Sequence, residues 1–202
     1  MFENSIGQDF GIKLTDFVKR KGFVLSLLIL SPVFLLAYFV TIPAEDSVIL
    51  YEYAKNLAET GVITFGNAGT PIEGATDFLW MLAIAFLKLL GINEFFSALL
   101  LNLIGAAFLV NISRAVEYKV AALIGLFLTP YIYSSLNGFS AIFFSALYVY
   151  CLSLAINNKE SLYSFVLVLC LVRPDGVVWG AGLILLRVSE QWRTLRLRNE
   201  LK

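Results

Sequence analysis

The apolar residues of this chain arrive in blocks long enough to cross a lipid bilayer, and no other feature narrows the possible folds as much. The hydrocarbon core takes about 20 helical residues to span. Within it every backbone N–H and C=O must be bonded internally, which leaves helices or closed barrels. The first such block covers 23–42, and others cover 95–112, 120–134, 140–156 and 162–187. The composition agrees, with 59% hydrophobic and 15% charged residues, against roughly a quarter charged in a soluble domain. The expectation is an all-α, polytopic helical membrane protein.

Charge sets its orientation. Lys19, Arg20 and Lys21 precede the first block, and a basic flank marks the cytoplasmic side. A secretory signal peptide has an apolar core of about 7–15 residues and a small-residue cleavage site. This block is longer and leaves through Thr41, Ile42 and Pro43, so it reads as a retained span. The loop 43–94 carries Glu45, Asp46, Glu52, Glu59, Glu73 and Asp77, which suits the outer face.

Two helices are expected on that face. Over 47–60, Ile49, Leu50, Tyr53, Ala54 and Leu57 share one side while Glu52, Lys55, Asn56 and Glu59 share the other, a helical period. Residues 78–90 would reach only about 20 Å, short of the roughly 30 Å a span needs. Thr76 or Asp77 can cap that helix and Gly91 can end it. Keeping 78–90 at the surface also places Arg114, Lys119 and Lys159 in the cytoplasm.

The last block, 162–187, is interrupted by Arg173-Pro174-Asp175-Gly176. Proline removes a donor and biases the residue before it away from helix, while glycine permits an unusual turn. Two short helices meeting at a polar turn shielded by protein are expected, followed by a basic cytoplasmic tail over 188–202. The sequence thus predicts a multi-pass protein of the plasma (inner) membrane with a short cytoplasmic segment at 1–22 and both termini inside.

Zero formal net charge offers no basic field for nucleic acid. The chain has no histidine, so proton transfer or metal binding falls to carboxylates, Lys, Tyr or backbone. Cys151 and Cys170 lie in apolar runs without a metal-type partner and read as packing residues. Glu45 and Asp46 could act as general base or hold a divalent cation, or Asp46 or Ser47 could simply cap the helix that follows. Glu73 reads either as a site acid or as a solvated turn residue. Arg173 and Asp175 read either as a self-neutralising pair at a helix break or as an anion site facing an outer cavity. Trp80, Trp179 and the tyrosines read as interface anchors and packing rather than as a sugar platform.

These landmarks, taken in order, resemble a known family. Glu45-Asp46-Ser47-Val48-Ile49-Leu50-Tyr51-Glu52-Tyr53-Ala54-Lys55-Asn56-Leu57 is similar to the first extracytoplasmic loop of bacterial GT-C type glycosyltransferases, of the protein-mannosyltransferase and arabinosyltransferase kind. The similarity continues through Ile72-Glu73-Gly74-Ala75-Thr76 and Leu79-Trp80 to Ser135-Leu136-Asn137-Gly138 and Arg173-Pro174-Asp175-Gly176. The resemblance implies inverting sugar transfer from a polyprenyl-phosphate donor to a cell-envelope acceptor on the outer membrane face. It implies Asp46 as general base with Glu45 beside it, or a divalent cation held there in some branches; Arg173, from its charge and depth, is the candidate for the lipid phosphate, with Glu73 and Asp175 as further substrate-binding candidates. Three departures stand out: Glu45 for the more usual Asp, Glu52 for the usual Arg, and Ser140 where a Glu is common. The family's enzymes also carry further spans, so this chain corresponds to an N-terminal module. A second membrane protein supplying the missing spans, or a non-catalytic subunit that binds the lipid or scaffolds a partner, is the alternative expectation.

Overall fold

The computed structural model describes residues 21–66, 76–113, 115–128 and 130–200, with backbone alone for 131 and 194–200. The described residues are all helix and connecting turn. The helices are α1 (Lys21–Val40), α2 (Glu45–Thr60), α3 (Phe78–Leu89), α4 (Glu94–Asn111), α5 (Val116–Leu128), α6 (Pro130–Leu136), α7 (Ala141–Ile156), α8 (Leu162–Val172) and α9 (Gly176–Glu200).

Helix α4 is the centre, and its sequence explains why. Ser97, Ala98, Asn102, Gly105, Ala106 and Ala107 are all buried or packed on neighbours, and small residues let helix backbones approach closely. A Cβ on Gly105 would lie 2.8 Å from Phe143 Cα, so α4 and α7 touch backbone to backbone. Asn102, fully buried, ties the same region together. Its amide donates to the carbonyls of Phe139 (2.8 Å), Ala98 (3.1 Å) and Ser135 (3.4 Å). Its Oδ1 accepts the Phe143 N–H at 3.2 Å. Nothing polar is left over on this side chain, as burial requires.

The bundle has two ends. At one, the base, Asn111 of α4 donates to Ser26 of α1 at 2.7 Å, so these two helices run antiparallel. Lys21, Lys119 and Lys159 sit at this end, with Glu117 and Glu160. Arg187, 6% exposed, donates to the Asn158 and Lys159 carbonyls there and lies 4.9 Å over the Tyr163 ring. It closes the α8–α9 hairpin, in which Gly180 packs on Val166 and Cys170. Cys151 and Cys170 pack in the α7–α8–α9 cluster.

At the other end, the crown, Thr41 Oγ1 donates to Leu136 O at 3.2 Å, and the Ala44 N–H donates to Asn137 O at 3.0 Å. Helix α3 stays at the crown from end to end. Ser140 bonds Asp77 just before its first turn, and Lys88 in its last turn pairs with Glu94 at 2.8 Å. Gly91, at φ 82°, ends it with the wound-up hydrogen bonds of a left-handed cap.

One expectation is corrected, the start and capping of the surface helix. Within the expected stretch 120–134, α5 covers the residues up to Leu128 and α6 those from Pro130, and Thr129 lies outside the described residues. The basic tail expected over 188–202 is helical as far as Glu200, as part of α9. The surface helix expected over 47–60 starts at Glu45, with Ala44 as its cap residue and no side-chain cap bond, so neither Asp46 nor Ser47 caps it. Its acids stand in the first turn, where the helix dipole favours negative charge.

Among the described helices, α1 and α4 are long and apolar enough to cross a bilayer. Helix α1 presents Leu25, Leu28, Ile29, Leu36, Phe39 and Val40 outward, each at least half exposed.

Candidate functional site

A cleft of about 340 Å³ opens at the crown, lined by Asp46, Ser47, Ile49, Leu50, Thr76, Asp77, Trp80, Gly138, Phe139 and Arg173. Four separate stretches meet there: the first turns of α2, the start of α3, the α6–α7 turn and the α8–α9 turn. The sequence landmarks around Asp46, Gly138 and Arg173, far apart along the chain, thus share one concavity.

Each wall has a local cause. The α6–α7 turn needs Gly138, whose φ of 98° is a left-handed conformation that side chains disfavour. Gly138 also lies directly beneath the Tyr51 hydroxyl, with Tyr51 Cζ and Ser47 Cβ only 3.0 and 3.2 Å from where a Cβ would sit. Tyr51 donates to Gly138 O at 3.3 Å, and burial pushes its hydroxyl well above the ordinary tyrosine range, so it remains a donor. This contact sets the first turns of α2, and with them Asp46, against the turn. The buried Ser135 Oγ accepts from the Ile142 N–H at 2.9 Å and fixes the far side of the same turn.

Arg173 caps α8 in extended conformation (φ −149°, ψ 144°), as expected of a residue before proline. Its Nε donates to Asp175 Oδ1 at 2.9 Å, and its guanidinium lies 5.6 Å over the Phe144 ring. Both members of the ion pair are partly exposed, at 30% and 47%. Asp175 does not line the crown cleft. It lines, with Arg173, a neighbouring groove of about 340 Å³ that runs over Phe144, Ser145, Tyr148 and Trp179. Arg173 therefore stands at the junction of two concavities.

Asp46 is exposed and lines the cleft; Glu45 is exposed and does not line it. Glu73 lies outside the described residues. Among the described residues, no group of three carboxylate or cysteine side chains is placed to hold a metal ion.

Two cleft residues were not singled out by the sequence as site residues. Asp77 stands where a cap is expected, yet makes no cap hydrogen bond to its own helix. Its Oδ2 instead accepts from Ser140 Oγ at 3.4 Å. Trp80, read from sequence as an interface anchor, is 1% exposed and packs on Phe143 with ring centroids 5.6 Å apart. Among the described residues, its buried Nε1 has no hydrogen-bond partner. Trp179 does keep a half-exposed position, edge-on to Tyr148.

Comparison with family models, curated proteins and solved structures gave no match to this chain.

Proposed function

We propose that the chain is a multi-pass plasma-membrane protein with its crown on the outer face, and a GT-C type glycosyltransferase module transferring a sugar from a polyprenyl-phosphate donor to a cell-envelope acceptor. The observation that carries this reading is the meeting of Asp46 and Arg173, an acid and a base from opposite ends of the chain, in one cleft at the acidic end of an apolar helical bundle.

Several features support the membrane part. Helix α1 is about 30 Å long, matches the bilayer core, and turns large apolar side chains outward. A soluble monomer rarely exposes a continuous apolar face of that size. The basic residues Lys21, Lys119 and Lys159 share the base, which the positive-inside rule assigns to the cytoplasm.

In the chemistry, Asp46 accepts the proton of an acceptor hydroxyl as that oxygen attacks the anomeric carbon. The bond from that carbon to the phosphate oxygen breaks, and the phosphate leaves with the electron pair beside Arg173. A guanidinium suits this task because its charge is permanent and its donors match phosphate geometry. A positioned base contributes about 10²–10⁴-fold in rate. Membranes containing Asp46→Asn are therefore expected to lose transfer from polyprenyl-phosphoryl sugars by that factor while the protein folds normally. Transfer at the unaltered rate in that variant would refute the assignment and favour a non-catalytic lipid-binding subunit.

A further inference from the structure

Asp77 is the cleft acid for which neither the sequence nor the proposed chemistry has a use. An aspartate at a helix start ordinarily spends its carboxylate on the exposed backbone N–H groups of the first turn. This one does not. It is half-buried, turned to the buried Ser140 hydroxyl, and lines the same cleft as Asp46 and Arg173. Beside it, the Trp80 indole N–H is a buried donor without an acceptor. A buried donor left unbonded is costly, and Trp80 is one of the residues that line the cleft.

Among the described residues, the charges around Asp77 can be named element by element. Helix α2 presents Asp46, the α8–α9 turn presents Arg173 with Asp175 on its Nε, and α7 presents the neutral Ser140. Helix α3 itself offers no other charge until Lys88, which is paired with Glu94. With both cleft acids ionised and Arg173 already paired to Asp175, the cleft would repel an anion. Burial first, and then Asp175, raise the Asp77 carboxyl above the usual carboxylate range, against the opposing pull of Arg173 and hydrogen bonding. Asp46 is exposed on the same wall while Asp77 is half-buried, so the two acids sit in different environments.

We propose that Asp77 is a second working carboxyl of the cleft, binding a phosphate anion in its neutral form as a hydrogen-bond donor beside Arg173 and the Trp80 indole. This rests on the reading of the cleft as a phosphate-ligand site. It adds that the site takes up a proton when the anion enters, and that Asp77 holds it.

The test uses the full chain in zwitterionic nanodiscs and a polyprenyl-phosphoryl mannose, a phosphodiester whose single charge is constant across the range used. Binding is followed by tryptophan fluorescence between about pH 4 and pH 8, a range that brackets raised carboxyl values. The affinity of the unaltered protein is expected to fall about tenfold per pH unit once Asp77 ionises in the free state. Calorimetry at about pH 8, in two buffers of different ionisation enthalpy, is expected to show close to one proton taken up per ligand, a readout that needs no variant. Asp77→Asn, which keeps a donor but cannot ionise, is expected to bind tightly with no pH slope. An unchanged slope in Asp77→Asn, or no proton uptake by the unaltered protein, overturns the role of Asp77 alone. No binding of the lipid by the unaltered protein at any pH overturns the phosphate-lipid reading itself. Dimethyl phosphate binding with the same slope, without lipid binding, supports Asp77 as an anion donor and overturns the lipid as its source.

Discussion

Replacing Gly138 with alanine tests the physical basis of the cleft, because one position joins α2 to the α6–α7 turn. Two costs are expected. The backbone there has φ 98°, and a left-handed conformation costs an ordinary residue about 1–2 kcal/mol. The new methyl would also meet the Tyr51 hydroxyl head-on, with Tyr51 Cζ at 3.0 Å and Ser47 Cβ at 3.2 Å behind it. Overpacking of this kind adds about 1–3 kcal/mol. Gly138→Ala is therefore expected to destabilise the protein by about 2–5 kcal/mol. The two costs separate in a second variant. Tyr51→Phe removes the clashing oxygen but leaves the backbone strain, so Gly138→Ala in a Tyr51→Phe background should recover part of the loss and no more. Alone, Tyr51→Phe forfeits only the hydrogen bond to Gly138 O, about 0.5–1.5 kcal/mol. Thermal unfolding in detergent, followed by circular dichroism and repeated for all four members of the cycle, measures each term. Gly138→Ala with unaltered stability, or full recovery by Tyr51→Phe, would refute the reasoning.

Other outcomes follow from the same structure. Asn102→Leu strands the Phe143 N–H and removes the amide donor to the Phe139 carbonyl, and should destabilise by about 3 kcal/mol in the same unfolding assay. Arg187→Met leaves the Asn158 and Lys159 carbonyls without their charged donor; protease should then cut the 157–161 turn faster, and Arg187→Lys should restore protection only in part. Asp77 has a raised carboxyl value when folded, so its contribution to stability is fully present below the unfolded value of 3.8 and is lost as pH rises through the folded one. Asp77→Asn should therefore melt higher than the unaltered protein at neutral pH and converge with it in acid. Lys88→Ala breaks a partly exposed pair with Glu94 and should cost less than about 1 kcal/mol. Single cysteines at 137 and 159 should be labelled by a membrane-impermeant thiol reagent at 137 alone in intact cells.

The sequence and the structure agree where a residue's chemistry contradicts its surroundings. Arg173 and Asp175 in an apolar block, and Asp46 at the mouth of the first block, stand out because charge there is costly. The structure places Asp46 and Arg173 in one cleft and Asp175 beside it. Helices with sharp punctuation, such as α3 between Asp77 and Gly91, are legible for the same reason. What sequence reading missed was ambiguous locally. Asp77 looks like a cap, and only the direction of its side chain separates a cap from a cleft acid. Trp80 looks like an interface anchor until α3 is seen to turn it onto Phe143. Glu45 shares the acidic signal with Asp46, but one step along a helix rotates a side chain by about 100°, which takes Glu45 off the cleft wall.

The central claim is that the crown cleft is an outward-facing polyprenyl-phosphate site, and photolabelling tests it most directly. A polyprenyl phosphate carrying a photoreactive group beside the phosphate would be added to the full chain in bilayers, irradiated, and the labelled residues located by mass spectrometry. The account predicts label on the cleft wall, at Ile49, Leu50, Trp80 or Phe139, and its loss in Arg173→Ala. Label confined to the groove over Tyr118, Ala121 and Ala122 near the base, or cleft label that persists without Arg173, would contradict it.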